Sequence, residues 1–122
     1  MVDRDLLLRK LADLDQYRGD WKTQRIVERT LQMAIEMCVD IVNHVIADRG
    51  LRVPATYAEA FEVLGEAGLL DAARRDAMIH MSKFRNVIVH DYARVDPAIV
   101  VRILREHLED FAQFKAAVLS WI

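Results

Sequence analysis

The chain has 122 residues, of which 53% are hydrophobic and 30% charged, and it contains only 4 glycines and 2 prolines. This length fits one domain of residues 1–122, and the composition excludes a disordered chain, a collagen-like repeat and an all-β sandwich. The net charge is −2, and the single cysteine, Cys38, rules out an internal disulfide and argues against a redox or structural-zinc function.

Two helices are predicted in the first part of the chain. Asp3 is a candidate N-cap for the first, which ends near Tyr17 before an Arg-Gly-Asp break. Thr23 opens the second, which extends to about Asp48, and Gly50 supplies its C-terminal stop. The residues expected to face inward from this second helix are Ile26, Val27, Leu31, Ala34, Ile35, Cys38, Ile41, Val42, Val45 and Ile46.

Three more helices are predicted after residue 50. Thr56 and Glu59 have the Thr-x-x-Glu spacing of a capping box and begin a short third helix. Asp71 begins a fourth that extends to roughly Val89, and Asp96, followed by a proline, begins a fifth that reaches the C-terminus. Helices with short connections, and no strand pattern, predict a compact all-α bundle of four to five helices.

Membrane insertion is not expected. No uninterrupted apolar run approaches the roughly 18 to 20 residues that a span requires, and the N-terminus is charged where a signal peptide is apolar. The apolar C-terminus, residues 118–122, is short and is expected to pack against the bundle instead. We therefore expect a cytoplasmic protein.

Charge is distributed unevenly along the chain. Between Arg74 and Arg105 there are seven arginine and lysine residues and three aspartates, so this stretch carries +4 and the rest of the chain −6. Such a segment forms either a solvated surface or a docking site for a polyanion. Its position in the sequence leaves both interpretations open.

The segment from Lys83 to Tyr92 contains groups that can act on a phosphodiester. Arg85 offers a rigid set of N–H donors for phosphate oxygens, and His90 can accept or give a proton near neutral pH. A deprotonated 2′-hydroxyl of RNA can attack its neighbouring phosphate. His90 is a candidate base for that step, or acid for departure of the leaving group, while Arg85 stabilises the charge growing on the phosphoryl oxygens. This chemistry needs no metal, and we expect no cofactor.

Arg85 and His90 diverge on one regular helix, because five residues at about 100° each separate their side chains by about 140°. Either the chain unwinds between Val89 and Asp91 and turns His90 round, or a second copy of the helix pairs the groups across a two-fold axis. Two apolar stripes on this helix fit a homodimer interface. They are Ala77, Met81, Phe84 and Ile88 on one side, and Ile79 and Val87 with the aliphatic part of Lys83 on another.

Arg85, His90 and Tyr92 form an R-x4-H-x-Y pattern. This pattern resembles the signature of the HepT-like branch of the HEPN (higher eukaryotes and prokaryotes nucleotide-binding) domains. The further similarities are the spacing of Glu36, Asp40 and His44 in the second helix, the Phe84-Arg85-Asn86 lead-in, and Asp96 at the start of the last helix. The likeness covers almost the whole chain.

The resemblance implies an all-α, homodimeric, metal-independent ribonuclease toxin, with the R-x4-H residues of both subunits facing a shared cleft. It also implies a partner, a small MntA-like nucleotidyltransferase antitoxin that neutralises the toxin by attaching AMP to the motif tyrosine. Carried over to this chain, Arg85 and His90 are catalytic and Tyr92 is modified. The residues expected to support the cleft are Asn86, Asp91, Glu36 and Asp40.

Each of these residues also has a purely structural interpretation. His90 can interact with the negative end of the helix dipole, and Tyr92 can be a half-buried aromatic at the end of the bundle. Arg85 can be a buried arginine that bridges to Asp40 or Glu36. The polar row on the second helix either faces Arg85 or supplies metal ligands, although it lacks the companion row of di-metal sites.

Two other functions remain open for the whole chain. One is a catalytically silent helical partner or scaffold of a nucleotidyltransferase. The other is a generic helical oligomer in which the motif is coincidental.

Overall fold

The computed structural model describes residues 20–121, and the predicted first helix lies outside them. The described residues form helices and connecting segments without a strand, which confirms the all-α prediction. The helices are α1 (Trp21–Asp48), α2 (Tyr57–Glu66), α3 (Ala72–His90), α4 (Pro97–Arg102) and α5 (Leu108–Ser120). A 3-10 turn (Tyr92–Arg94) follows α3, and a π-helical segment (Ile103–His107) joins α4 to α5.

Helix α1 begins before Thr23, the predicted first residue, so that prediction is wrong by two positions. Asp20 is the N-cap, and its carboxylate accepts hydrogen bonds from the Lys22 backbone N–H at 3.0 Å and from the Thr23 hydroxyl at 2.7 Å. Threonine and aspartate are both good N-caps, so composition alone did not decide between them. The predicted stop at Gly50 is confirmed by its φ of 64°, which lies in the left-handed region.

The caps of the later helices are confirmed. The Thr56 hydroxyl accepts from the Glu59 backbone N–H at 3.1 Å. The Asp71 carboxylate accepts from the backbone N–H three residues later at 2.8 Å, and the Asp96 carboxylate accepts from the Ala98 N–H at 2.9 Å. The predicted fifth helix corresponds to α4, the π-helical segment and α5 taken together.

The core lies between α1 and the other helices. Residues of α1 that are completely buried are Val27, Leu31, Ile35, Cys38 and Val42. Phe61 of α2 and Phe114 of α5 pack edge to face with their ring centroids 5.9 Å apart. Cys38 is a core thiol, as expected, and burial raises its pKa to about 12.

The prediction that Ile26 faces the core is wrong, because its side chain is 56% exposed. Ile26 and Leu31 are five residues apart, so their side chains point about 140° away from each other on a regular helix. The buried face of α1 therefore includes fewer of its apolar residues than the sequence pattern predicted.

Helix α1 is long and apolar enough to cross a membrane, by length and composition only. The central helix of a folded core passes the same test, and α1 supplies much of this core. The absence of a membrane span therefore stays a prediction.

Candidate functional site

Arg85 lies on the face of α3 that meets α1 and the start of α2. Its Nε donates to Glu36 Oε1 at 3.0 Å, its Nη2 lies 2.9 Å from the same oxygen, and its Nη1 donates to Asn86 Oδ1 at 3.2 Å. The Tyr57 ring covers the guanidinium, whose Cζ is 4.7 Å from the ring centroid. Arg85 therefore bridges to Glu36, whereas Asp40 is exposed and forms no ion pair with any residue in the range 20–121.

These contacts orient Arg85 without using up its donors. The side chain keeps 16% of its surface exposed, and that of Glu36 keeps 30%. A guanidinium has five N–H groups, and the contacts described leave at least two of them for a ligand. Arg85 is thus held in one orientation and keeps N–H donors that the described contacts do not use.

The Glu36 carboxylate is stabilised in its charged form. Burial raises its pKa, but hydrogen bonds from Gln32, at 3.0 Å, and from Arg85, together with the charges of Arg85 and Arg29, outweigh burial. The net pKa of Glu36 lies below its ordinary value of 4.5. The ion pair with Arg85 is therefore formed at neutral and mildly acidic pH.

We expect this ion pair to make the stability of the protein fall in acid. Because the folded-state pKa of Glu36 lies below the ordinary value of 4.5, its contribution is fully present above that pH and is lost as the pH falls through the folded-state pKa. Glu36→Gln should lower the free energy of unfolding at neutral pH and reduce its slope below pH 4.5, measured by urea unfolding at several pH values.

Glu62→Gln is the control, because Glu62 is exposed on α2 and forms no described ion pair within residues 20–121. It should leave the pH slope as in the wild type. An unchanged slope in the Glu36→Gln protein would contradict the assignment of acid sensitivity to this pair.

His90 is the last residue of α3, and its side chain is exposed. The helix continues through His90 and ends at Asp91, where φ is −152° and ψ is 50°. No hydrogen bond or ion pair joins the imidazole to the part of the chain that the structure describes. The unwinding considered above does not occur before His90, so the structure leaves Arg85 and His90 on different sides of α3 within one chain.

The remaining predicted site residues are dispersed. Asp91 is exposed and pairs with Arg94, with Nε 3.2 Å from Oδ2. Tyr92 begins the 3-10 turn immediately after the end of α3, and its side chain lies outside the described part of the structure. Asp40 and His44 are exposed on α1. Among the predicted site residues whose side chains the structure describes, Glu36 and Asn86 are the two that contact Arg85.

The described part of the chain contains no group of three or more His, Cys, Asp or Glu side chains placed to hold a metal ion. In the polar row of α1, Glu36 binds Arg85, and the other two members are exposed. Of the three residues in this row, Glu36 is therefore the one that faces Arg85 in the described structure.

The basic stretch is partly neutralised. Its ion pairs are Arg74–Asp71, Arg75–Asp76, Arg85–Glu36 and Arg94–Asp91. Lys83, Arg102 and Arg105 are exposed and form no ion pair with residues 20–121. Lys83 and His90 are seven residues apart on α3, so they share its open face. The ion pairs leave fewer free positive charges for a polyanion than the sequence predicted. Lys83 is one of these free charges, and it lies on the same face of α3 as His90.

Sequence reasoning missed two residues that contact this site. Gln32 lies four residues before Glu36 on α1, and that spacing is a usable signal for a side-chain hydrogen bond. Tyr57 begins α2 and lies 28 positions from Arg85 in the chain. Its contact depends on how α2 docks against α3, and no local pattern could have predicted it.

The sequence matches a known family along nearly the entire chain. Residues 5–118 match the family described as ribonuclease HepT-like. This chain belongs to the HepT-like family. It is 35% identical over 103 residues to the mRNA nuclease HepT of Shewanella oneidensis, covering 84% of this chain and 77% of that protein. It is 28% identical over 109 residues to the tRNA nuclease HepT of Aphanizomenon flos-aquae, covering 89% and 74%.

Solved structures of HepT-like proteins have the same fold. The tri-AMPylated Shewanella oneidensis HEPN toxin in complex with MNT antitoxin superimposes with a TM-score of 0.89 at 31% identity, over 96% of this chain and 88% of that one. The family and the all-α HEPN fold expected from the motif are thereby confirmed.

Proposed function

We propose that this HepT-like protein is the RNA-cleaving toxin of a toxin–antitoxin pair, with Arg85 and His90 as its catalytic residues. The relatives named as mRNA and tRNA nucleases support the activity, and the solved toxin–antitoxin complex supports the biological setting. The observation that carries the assignment is the open imidazole of His90 at the end of α3, about one and a half turns from an arginine that is already oriented.

The proposed reaction is an internal transfer at phosphorus. Neutral His90 takes the proton of the 2′-hydroxyl, the 2′-oxygen bonds to phosphorus, and the bond from phosphorus to the 5′-oxygen breaks. The leaving 5′-oxygen receives a proton from an acid. The products are a 2′,3′-cyclic phosphate and a 5′-hydroxyl, with no water consumed. Arg85 donates to the non-bridging oxygens as their charge grows, and neither step uses a metal.

The functional unit in this proposal is a homodimer. Within one chain, Arg85 faces α1 and α2 while His90 faces outward, so a second copy must supply the missing partner of each group. A two-fold axis does so for both chains at once. It also places two imidazoles in one cleft, where one can act as base and the other as acid.

The proposed partner is a small MntA-like nucleotidyltransferase, and Tyr92 is the proposed site of AMP attachment. The tri-AMPylated HEPN toxin solved with an MNT antitoxin supports the kind of partner and the kind of modification, whereas the choice of Tyr92 rests on its place in the R-x4-H-x-Y pattern. Tyr92 begins the turn two residues after His90, so an AMP group there adds bulk and negative charge beside the proposed catalytic imidazole. Like-charge repulsion would then oppose the binding of RNA phosphate.

A catalytically silent partner of a nucleotidyltransferase is the second candidate. It is favoured by the enclosure of Arg85 between Glu36, Asn86 and Tyr57, an arrangement that also suits a structural arginine. The two candidates differ in one observable property, which is RNA turnover.

The test is cleavage of RNA by the purified chain in excess EDTA. We expect cleavage to continue and to leave 2′,3′-cyclic phosphate ends. Arg85→Lys keeps the charge but removes the planar set of donors, so the rate should fall by about tenfold or more. Arg102→Lys is the matched control at an exposed arginine on α4 and should cleave normally.

Loss of cleavage in EDTA would contradict the metal-independent reaction. Absence of cleavage of messenger, transfer and ribosomal RNA, together with stable binding of the nucleotidyltransferase, would favour the silent partner instead.

A further inference from the structure

Two residues outside the predicted site contact the Arg85–Glu36 pair. They are Gln32, which lies four residues before Glu36 on α1, and Tyr57, the first residue of α2. Both side chains are half-buried. The reaction proposed above assigns no step to either residue, so their contacts with the pair have a different role.

The ion pair by itself leaves the guanidinium of Arg85 free to tilt. Its Nε and Nη2 both reach one oxygen, Oε1 of Glu36, at 3.0 and 2.9 Å. A guanidinium that meets both oxygens of a carboxylate is fixed by two parallel hydrogen bonds, whereas contact with one oxygen allows rotation about it. The third contact, from Nη1 to Asn86 at 3.2 Å, is exposed to water and long for a charged donor. The orientation of Arg85 therefore depends on further contacts.

Gln32 restrains the carboxylate of Glu36. Its Nε2 donates to Oε1 at 3.0 Å, and this is the oxygen that receives Arg85. The terminal torsion of a glutamate side chain is only weakly restricted by its own structure. Because the two residues are one turn apart on the same helix, the hydrogen bond ties the carboxylate to the backbone of α1. Rotation of the carboxylate breaks this bond, so Oε1 stays where Arg85 requires it.

Tyr57 restrains the guanidinium. Its ring centroid lies 4.7 Å from Cζ of Arg85, and a cation over an aromatic face is attracted to that face. The ring is itself held in place, because it packs against the hydrophobic core and its helix is capped by the hydrogen bond from the Glu59 N–H to Thr56. The guanidinium is limited to tilts that keep this contact, and an RNA phosphate must approach from a side that the ring does not cover.

We propose that Gln32 and Tyr57 are positioning residues for RNA cleavage, which hold Arg85 so that its remaining N–H groups meet the phosphoryl oxygens. This inference rests on the proposed function and adds to it two residues that do not touch the substrate. Donors aimed in advance at the charge of the transition state lower the barrier, and a displacement of about 1 Å can cost about 100-fold in rate. Loss of either contact should therefore affect kcat more than KM.

Steady-state cleavage of an RNA that the wild type cleaves tests Tyr57. Tyr57→Leu keeps an apolar side chain against the core but removes the aromatic face, so kcat should fall by about tenfold or more while KM changes by less than about twofold. Tyr57→Phe is the matched control and should keep the wild-type kcat, because the contact uses the ring and not the hydroxyl. Unchanged kcat in folded Tyr57→Leu protein, or an equal loss in Tyr57→Phe, would overturn the role of Tyr57.

Gln32→Met tests the second contact, because methionine keeps the length of the side chain and lacks the amide donor. Its kcat should fall by about threefold or more with little change in KM. Gln113→Met, at an exposed glutamine of α5, is the matched control and should cleave normally. Circular dichroism verifies the fold of each variant. Should Tyr57→Leu not fold, Gln32→Met tests the inference through the same measurements, and a wild-type kcat in that variant would contradict it.

A double-mutant cycle distinguishes positioning from packing. If Tyr57 acts through the guanidinium, Tyr57→Leu should lower kcat by less than about twofold in an Arg85→Lys chain, since an ammonium has no plane to orient. If the ring only packs α2 against the bundle, the substitution lowers kcat by the same factor in both backgrounds. Equal factors would therefore overturn the positioning role.

A measurement without RNA separates this inference from the nuclease activity on which it rests. Exchange of the Arg85 Nε–H with water, followed by NMR of the full-length protein, should be slow in the wild type and in Tyr57→Phe. It should be about fivefold or more faster in Tyr57→Leu and Gln32→Met, because an N–H that opens more often exchanges more often.

The two proposals then fail in different ways. Slow exchange in a wild type that cleaves no RNA would overturn the nuclease proposal, and with it the role of these contacts in cleavage, while the restraint of Arg85 would be confirmed. Fast exchange in the wild type, or exchange that neither variant changes, would overturn the restraint even if the protein cleaves RNA.

Discussion

Replacement of His90 by alanine is expected to reduce RNA cleavage by about 100-fold or more while the protein stays folded. General acid–base catalysis by one side chain typically contributes about 10² to 10⁴ in rate. The imidazole is exposed and has no hydrogen-bond partner among residues 20–121, so its removal leaves no buried cavity. The measurement is the initial rate of cleavage under single-turnover conditions, with circular dichroism to verify the fold.

His80→Ala is the matched control. His80 is also exposed on α3, but it lies in a groove between α3 and the C-terminal helices that contains none of the predicted site residues. This variant should cleave RNA at nearly the wild-type rate. Undiminished cleavage by folded His90→Ala protein, free of contaminating nuclease, would remove His90 from the mechanism.

Mixing two impaired variants tests whether the site is shared between subunits. In a mixed dimer of Arg85→Lys and His90→Ala chains, a shared cleft keeps one native arginine from one chain and one native imidazole from the other, so activity should rise above that of either variant alone while staying below the wild type. If each site is built within one chain, every site carries a substitution and activity stays low. We expect cleavage activity to recover in the mixed dimer because Arg85 and His90 of one chain lie on different sides of α3.

The helix boundaries were predictable because their causes are local. Thr56, Asp71 and Asp96 each cap a helix by accepting a hydrogen bond from a backbone N–H two or three residues later. Such interactions depend on residue type and short spacing, which the sequence displays directly. The error at Thr23 has the same origin, because a second competent cap, Asp20, stands three residues earlier.

The environment of Arg85 was only partly predictable because it depends on helix docking. Spacing placed Glu36 and Asp40 on α1 as possible partners, and the choice of Glu36 followed only from the observed packing. The contact with Tyr57 requires the start of α2 to lie over α3, which periodicity does not specify. Periodicity also misplaced Ile26, since it finds apolar residues without showing which of them the neighbouring helices cover.

Tyr92→Phe is expected to abolish transfer of AMP to this protein by an MntA-like nucleotidyltransferase. In the proposed reaction the phenol oxygen bonds to the α-phosphorus of ATP, the bond from that phosphorus to the β-phosphate oxygen breaks, pyrophosphate leaves, and the phenol proton passes to a base. Phenylalanine keeps the ring but lacks the oxygen, so no bond can form. Intact-protein mass spectrometry after incubation with the enzyme and ATP measures the attached AMP.

Tyr57→Phe is the matched control, because it keeps the ring that covers Arg85 and should be modified like the wild type. If Tyr92 is the regulatory residue, the Tyr92→Phe toxin should also go on cleaving RNA in the presence of active nucleotidyltransferase and ATP, while the Tyr57→Phe toxin is silenced. Continued attachment of AMP to the Tyr92→Phe chain would place the modification at another residue. Loss of attachment with silencing retained would show that binding of the partner, and not the phosphate bond on Tyr92, closes the site.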